Sequence, residues 1–118
     1  FLDSFNYNAH TSAVDSLWVE LPILTKVGKS FSSRICGSIL NSLKLKELIT
    51  YSKQEYQERA IYYGNNKNKI IKIKNEIKLS KEKNNFYNIK KYTKKLEEVF
   101  EKAHFSRLKN NKPTSFEV

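Results

Sequence analysis

Apolar residues in the first half of the chain alternate between short runs and helical stripes. Residues 1–9 (Phe1-Leu2-Asp3-Ser4-Phe5-Asn6-Tyr7-Asn8-Ala9) predict the end of a short strand followed by an Asn-rich loop. Val14, Leu17, Trp18 and Leu21 recur with a helical period, so residues 10–20 predict a helix closed by Pro22, with Ser12 and Asp15 at capping-box spacing. Ile23-Leu24-Thr25-Lys26-Val27 is an aliphatic and β-branched run bounded by Pro22 and Gly28, the pattern of a buried parallel strand. Phe31, Ile35, Ile39, Leu40 and Leu43 then mark a further helix, for which Ser30 is the candidate N-cap. Strand, helix, strand, helix implies a βαβ unit.

The second half changes character. Ser52-Lys53-Gln54-Glu55 is another capping box, opening a helix through Tyr56, Ala60 and Tyr63 that stops near Gly64. Ile70, Ile73 and Ile77 mark one amphipathic helix, and Tyr92, Leu96, Val99, Phe100 and Ala103 a second, each with lysines opposite. No strand pattern follows, and residues 109–118, with Pro113, predict a mobile tail. The expected architecture is α/β followed by helices, without internal repeats.

The chain's 118 residues and 39% apolar content suit one compact unit. Methionine is missing even at position 1, which leads us to expect a piece of a longer product. No run approaches the roughly 18 apolar residues of a membrane span, and the N-terminus lacks the pattern of a secretory signal. Cys36 lies in the apolar run Ile35-Cys36-Gly37-Ser38-Ile39-Leu40 and has no internal partner; a buried, inert thiol and a cytoplasmic location are expected.

The net charge of +10 raises the question of nucleic acid or an acidic membrane surface. Only Arg34, Arg59 and Arg107 among 22 basic residues are arginine, so bidentate phosphate readers are scarce. The lysines are interleaved with asparagine, as in Asn65-Asn66-Lys67-Asn68-Lys69, and read as solvated surface rather than as a binding stripe.

Candidate chemistry concentrates in Asn8-Ala9-His10-Thr11-Ser12-Ala13-Val14-Asp15, where a strand and loop feed a helix N-terminus. Unpaired amides there attract phosphate, and Thr11, Ser12 and His10 can add side-chain hydrogen bonds to a diphosphate. Asp15, one turn on, has the chemistry to accept from the vicinal hydroxyls of a ribose. On spacing alone the favoured reading is that Ser12 and Asp15 merely cap the helix, with His10 a loop residue.

Gly28-Lys29-Ser30 copies the end of a phosphate-binding P-loop, but the first glycine of that motif falls on Ile23, so a nucleotide triphosphatase is rejected. His104 has only Glu101 at ligand spacing, which leaves no metal site. No serine is flanked by glycines as a nucleophile elbow requires, so covalent catalysis is not expected.

The run from Leu2-Asp3-Ser4-Phe5-Asn6 through Tyr7-Asn8-Ala9-His10-Thr11-Ser12 to Ala13-Val14-Asp15-Ser16-Leu17-Trp18 resembles the donor-site segment of the protein O-GlcNAc transferase family. Leu21-Pro22-Ile23-Leu24-Thr25, Gly28, Ser32-Ser33-Arg34, Leu45-Lys46-Glu47-Leu48-Ile49 and Gln54-Glu55-Tyr56 follow in that family's order. Phe86-Tyr87-Asn88, Tyr92-Thr93-Lys94-Lys95-Leu96-Glu97 and Lys112-Pro113 resemble its closing helix and tail. Ser12 stands where the family commonly has a second threonine and keeps the hydroxyl; Ala9 replaces a frequent glycine.

The resemblance implies a two-lobed GT-B enzyme, usually preceded by tetratricopeptide repeats, that transfers N-acetylglucosamine from UDP-GlcNAc to serine or threonine of proteins. Residues 1–108 would form the C-terminal portion of its donor-binding lobe, half of a Rossmann-like β-α-β-α layer. His10, Thr11 and Ser12 would meet the donor diphosphate and Asp15 the ribose, without a metal or other cofactor. The uracil-reading residues, a donor-binding lysine and the candidate bases would lie upstream, so the piece is expected to be inactive alone, its protein acceptor held by other regions. His10 and Asp15 favour this branch over the SPINDLY type, which uses GDP-fucose. The competing readings are a lysine-rich module over residues 67–95 that binds nucleic acid or another polyanion, with Phe86, Tyr87 and Tyr92 stacking bases, and an inert packing element. Tyr92 is expected in the core or at the lobe junction, which argues against the former.

Overall fold

The computed structural model describes residues 1–83, 85–109, 112 and 115, the side chain of Asn85 excepted. Most of the expected tail, Pro113 included, lies outside these residues. Contacts divide the chain into two units, Phe1–Asn84 and Asn85–Val118.

The first unit is an α/β layer followed by helices. Its elements are α1 (Thr11–Trp18), β1 (Thr25–Lys26), α2 (Ile35–Ser42), β2 (Ile49–Thr50), α3 (Lys53–Asn65) and α4 (Lys67–Lys83). β1 and β2 pair in parallel, Thr25 against Ile49 and Lys26 against Thr50. Leu2 forms a parallel bridge with Leu24, so three consecutive chain segments run the same way. The strand expected over residues 23–27 is therefore present with a short ladder, and β2, unmarked in the sequence, completes the β1–α2–β2 crossover.

Buried threonines tie the segments together. Thr25 Oγ1 donates to Asp3 Oδ2 at 2.6 Å, and Thr50 Oγ1 donates to the Thr25 carbonyl at 2.9 Å. Around this polar line pack Ala13 and Leu17 of α1, Cys36 and Leu40 of α2, and Ile23, Leu24, Leu48 and Ile49 from the strand segments and their approaches. α2 lies so close to the sheet that a Cβ on Gly37 would stand 2.6 Å from Val27 Cγ2. Ile73 and Ile77 bury the inner face of α4, as their spacing predicts.

The buried faces are narrower than the sequence stripes. Trp18, Leu21 and Phe31, expected on inward faces, are exposed. The Ser52 capping box forms: Glu55 N donates to Ser52 Oγ at 3.0 Å, and Glu55 Oε2 receives Tyr51 N at 2.8 Å. The Ser12 box does not, because the helix starts two residues earlier than that box requires and His10 occupies the N-cap.

The second unit, by itself, holds a 3₁₀ turn at Asn85–Tyr87 and α5 (Ile89–Leu108), capped by Asn88 Oδ1 accepting from Lys91 N at 3.0 Å. α5 buries none of its residues; Tyr92, expected in the core or at the lobe junction, is exposed and so does not enter a core here. Among the described residues no helix is long and apolar enough to cross a membrane.

Candidate functional site

The Asp3 carboxylate fixes the loop that leads into α1. Oδ1 accepts from Ser4 N at 2.9 Å and from Ala9 N at 2.7 Å, so one buried oxygen holds both ends of residues 4–9. Asn8, fully buried, donates Nδ2 to the Ser4 carbonyl at 2.8 Å and its backbone N–H to the Ser32 carbonyl at 3.0 Å. The Asp3 carbonyl receives the Tyr56 hydroxyl at 3.0 Å, anchoring the same point to α3.

This scaffold brings His10, Thr11, Ser12 and Asp15 to one end of one helix. The first amides to find acceptors are those of Ala13 and Val14, both on the His10 carbonyl at 3.1 and 3.3 Å. The Thr11 and Ser12 amides precede them, the positions that a helix leaves without internal acceptors and where its dipole is positive. The side chain of the N-cap residue, His10, makes no capping hydrogen bond to them. Thr11, Ser12 and Asp15 are exposed, with Asp15 one turn further along.

His10 is half-buried and held from two sides. Its ring stacks on Tyr7, centroids 4.7 Å apart and planes 22° from parallel. Nε2 lies 3.5 Å from the Ser32 carbonyl. With Nε2–H donating there, Nδ1 is the remaining ring nitrogen, and it can donate to an anion when the ring is protonated.

The loop after β1 completes the neighbourhood. Gly28 N donates to the Ser33 carbonyl at 2.8 Å, and Ser33 Oγ would lie 2.3 Å from a Cβ on Gly28, so this tight turn requires glycine. Ser30 Oγ accepts from Ser33 N at 3.3 Å inside the loop rather than capping α2, whose N-cap is Arg34. Asp3, Asn8 and Ser32 thus support the site without having been visible in the sequence, where their partners are distant or sit in irregular backbone. Among the described residues no three His, Cys, Asp or Glu side chains cluster as metal ligands.

A short parallel α/β layer presenting a helix N-terminus and an acidic residue one turn on is an arrangement suited to nucleotide ligands. The chain belongs to glycosyl transferase family 41, whose model matches residues 1–96. It is 26% identical over 98 residues to a UDP-N-acetylglucosamine–peptide N-acetylglucosaminyltransferase of Caenorhabditis elegans, covering 83% of this chain and 8% of that protein. It is 27% identical over 118 residues to the probable enzyme of that name, SEC, of Arabidopsis thaliana, covering 99% and 12%. A solved O-GlcNAc transferase mutant from Thermobaculum terrenum shares the fold with a TM-score of 0.76 at 22% identity, over 84% of this chain and 19% of the other. The chain therefore spans about a tenth of the curated relatives and a fifth of the solved chain.

Proposed function

We propose that this chain supplies diphosphate and ribose contacts to the nucleotide-sugar donor of a cytoplasmic protein glycosyltransferase, with UDP-GlcNAc the donor and serine or threonine of a protein the acceptor. The names of the relatives support the reaction, and family membership supports the enzyme class. The parallel segments are read as the carboxyl half of a Rossmann-like lobe of a GT-B enzyme. The observation that carries the site is the uncapped start of α1: two amides without helical acceptors, two exposed hydroxyls and Asp15 one turn on.

In this reading the Thr11 and Ser12 amides and hydroxyls, with His10, meet the charge that develops on the UDP leaving group as the sugar is displaced. Those groups already point outward from a loop fixed by Asp3, so little reorganisation accompanies the step. Asp15 accepts from the ribose hydroxyls and contributes to affinity rather than to chemistry. No cofactor beyond the donor is assigned.

Calorimetric titration of UDP, GDP and UDP-GlcNAc into the intact protein tests this. UDP should bind selectively, and Asp15→Ala should weaken it about tenfold, equivalent to roughly 1.4 kcal/mol. An unchanged UDP affinity in the variant removes Asp15 from the site. A preference for GDP points to the fucosyl branch, and the absence of binding by either nucleotide returns the lysine-rich module to consideration.

A further inference from the structure

A second concavity opens at the carboxyl end of the same parallel layer. It has a volume of about 590 Å³ and is lined from all three segments: Phe5 and Asn6 after Leu2, Lys26 to Ser30 and Ser33 around β1, and Tyr51 after β2. In open α/β layers this end of the strands is where ligands bind. It adjoins the donor-site candidate through one loop, since Ser32 Oγ donates to the Asn6 carbonyl at 3.3 Å while the Ser32 carbonyl faces His10.

Its charge is one-sided. Lys26 and Lys29 line it, and Lys26 and Lys53 both approach the Phe5 ring, at 5.4 and 5.9 Å from its centroid. Among the described residues none that lines it is acidic. Among the described residues none of the three lysines has a carboxylate within ion-pair distance, whereas Arg59, Lys72 and Lys81 each do. The Lys26 and Lys53 ammonium groups share the Phe5 ring and Lys29 lines the same concavity; like charges so placed repel, and an anion relieves that repulsion. Tyr51, largely exposed, offers an aromatic wall beside them.

We infer that this concavity receives an acidic side chain, Asp or Glu, of the acceptor polypeptide, held by Lys26 and Lys29 with Lys53 at the margin. The inference rests on the proposed function, because it is a polypeptide acceptor that must enter beside the donor diphosphate. Lysine suits the task, since a flexible point charge accommodates a carboxylate in several poses where arginine would demand one. The volume admits a side chain or two of a polypeptide.

The test is fluorescence anisotropy of a labelled Ser-containing peptide rich in Asp and Glu, titrated with the intact protein at low and at physiological salt. Lys26→Gln combined with Lys29→Gln should weaken binding about tenfold at low salt. Lys69→Gln combined with Lys78→Gln removes the same charge from α4 and should weaken it less than twofold. An equal loss in the two double variants would reveal diffuse attraction to a basic protein and overturn the inference. So would single-stranded RNA binding more tightly than the peptide and losing that binding in the Lys26/Lys29 variant. UDP titration of the unsubstituted protein reports on the donor reading alone: UDP binding without a Lys26/Lys29 effect on the peptide defeats only this inference, whereas absent UDP binding defeats the reading beneath it.

Discussion

The Asp3 carboxylate is 5% exposed and accepts three hydrogen bonds, from Ser4 N, Ala9 N and Thr25 Oγ1. Asp3→Ala strands a buried hydroxyl and releases both ends of the loop that carries His10. A loss of about 3 kcal/mol in unfolding free energy is expected, with weaker UDP binding. Asp3→Asn should recover much of the stability, because an amide oxygen can still receive the two backbone N–H groups; denaturant titration of both variants measures this. Cys36 makes a second residue-scale case. Burial, reinforced by the charge of Asp3, pushes its thiol up to about 12. The unfolded thiol ionises near its ordinary value of about 8.5, so above that pH the unfolded chain has released a proton that the folded chain retains. Stability contributed by this group is complete below about 8.5 and declines as pH rises toward the folded value. Melting curves between pH 8.5 and 10 should fall less steeply in Cys36→Ala. The inert thiol was legible from the apolar run around Cys36. Asp3 was not, because its partners lie 1, 6 and 22 positions away and no spacing rule connects them.

Both helices of the α/β layer end in the same way. Leu45 N reaches back to the Leu40 carbonyl at 2.9 Å and Lys44 N to Asn41 at 3.0 Å; Leu21 N reaches Ser16 at 2.8 Å and Glu20 N reaches Leu17 at 3.1 Å. These are Schellman closures, which place one residue in the left-handed region and favour glycine there. Here the positions hold Lys44, at φ 63°, and Glu20, at φ 61°. A left-handed residue with a side chain costs about 1 kcal/mol, part of which glycine forfeits through its freedom in the unfolded chain. Lys44→Gly should therefore raise stability by about 0.5 kcal/mol, seen as a rise of about 2–4 °C in Tm. Glu20→Gly should gain less, since it removes the 2.7 Å ion pair with Lys81 of α4. The same feature explains what was illegible: without glycine at C′ the only stop in view was Pro22, and α1 was expected to run two residues too far, to Glu20 instead of Trp18. β2 escaped notice because two residues show no alternation, whereas residues 23–27 were framed by Pro22 and Gly28. The Ser52 box was readable because all of its hydrogen bonds are local.

Every buried hydrophobic side chain described, from Ala13 to Ile77, belongs to the first unit. Periodicity located α5 but could not say what its stripe meets, because amphipathic spacing records that a face is apolar and not what covers it. The family was legible for a different reason: residues 2–18 combine a loop, a phosphate-suited helix start and an acidic residue in an order that charge and hydropathy alone do not specify. The lysines that bring the net charge to +10 leave this run untouched, since residues 2–18 contain none. If the core and the parallel layer are complete within the first unit, a chain ending at residue 84 should unfold in one cooperative transition. Its Tm should lie within about 5 °C of the full chain's, a difference of roughly 1 kcal/mol for a domain of this size. Calorimetry of the shortened chain makes the measurement. A broad, non-cooperative transition would show that residues 85–118 contribute to the core energetically, even though α5 buries none of its own side chains. A sharp transition would mean that α5 is free to serve a surface other than this core, and that the uncapped helix start and the lysine-lined concavity are held by the first unit alone.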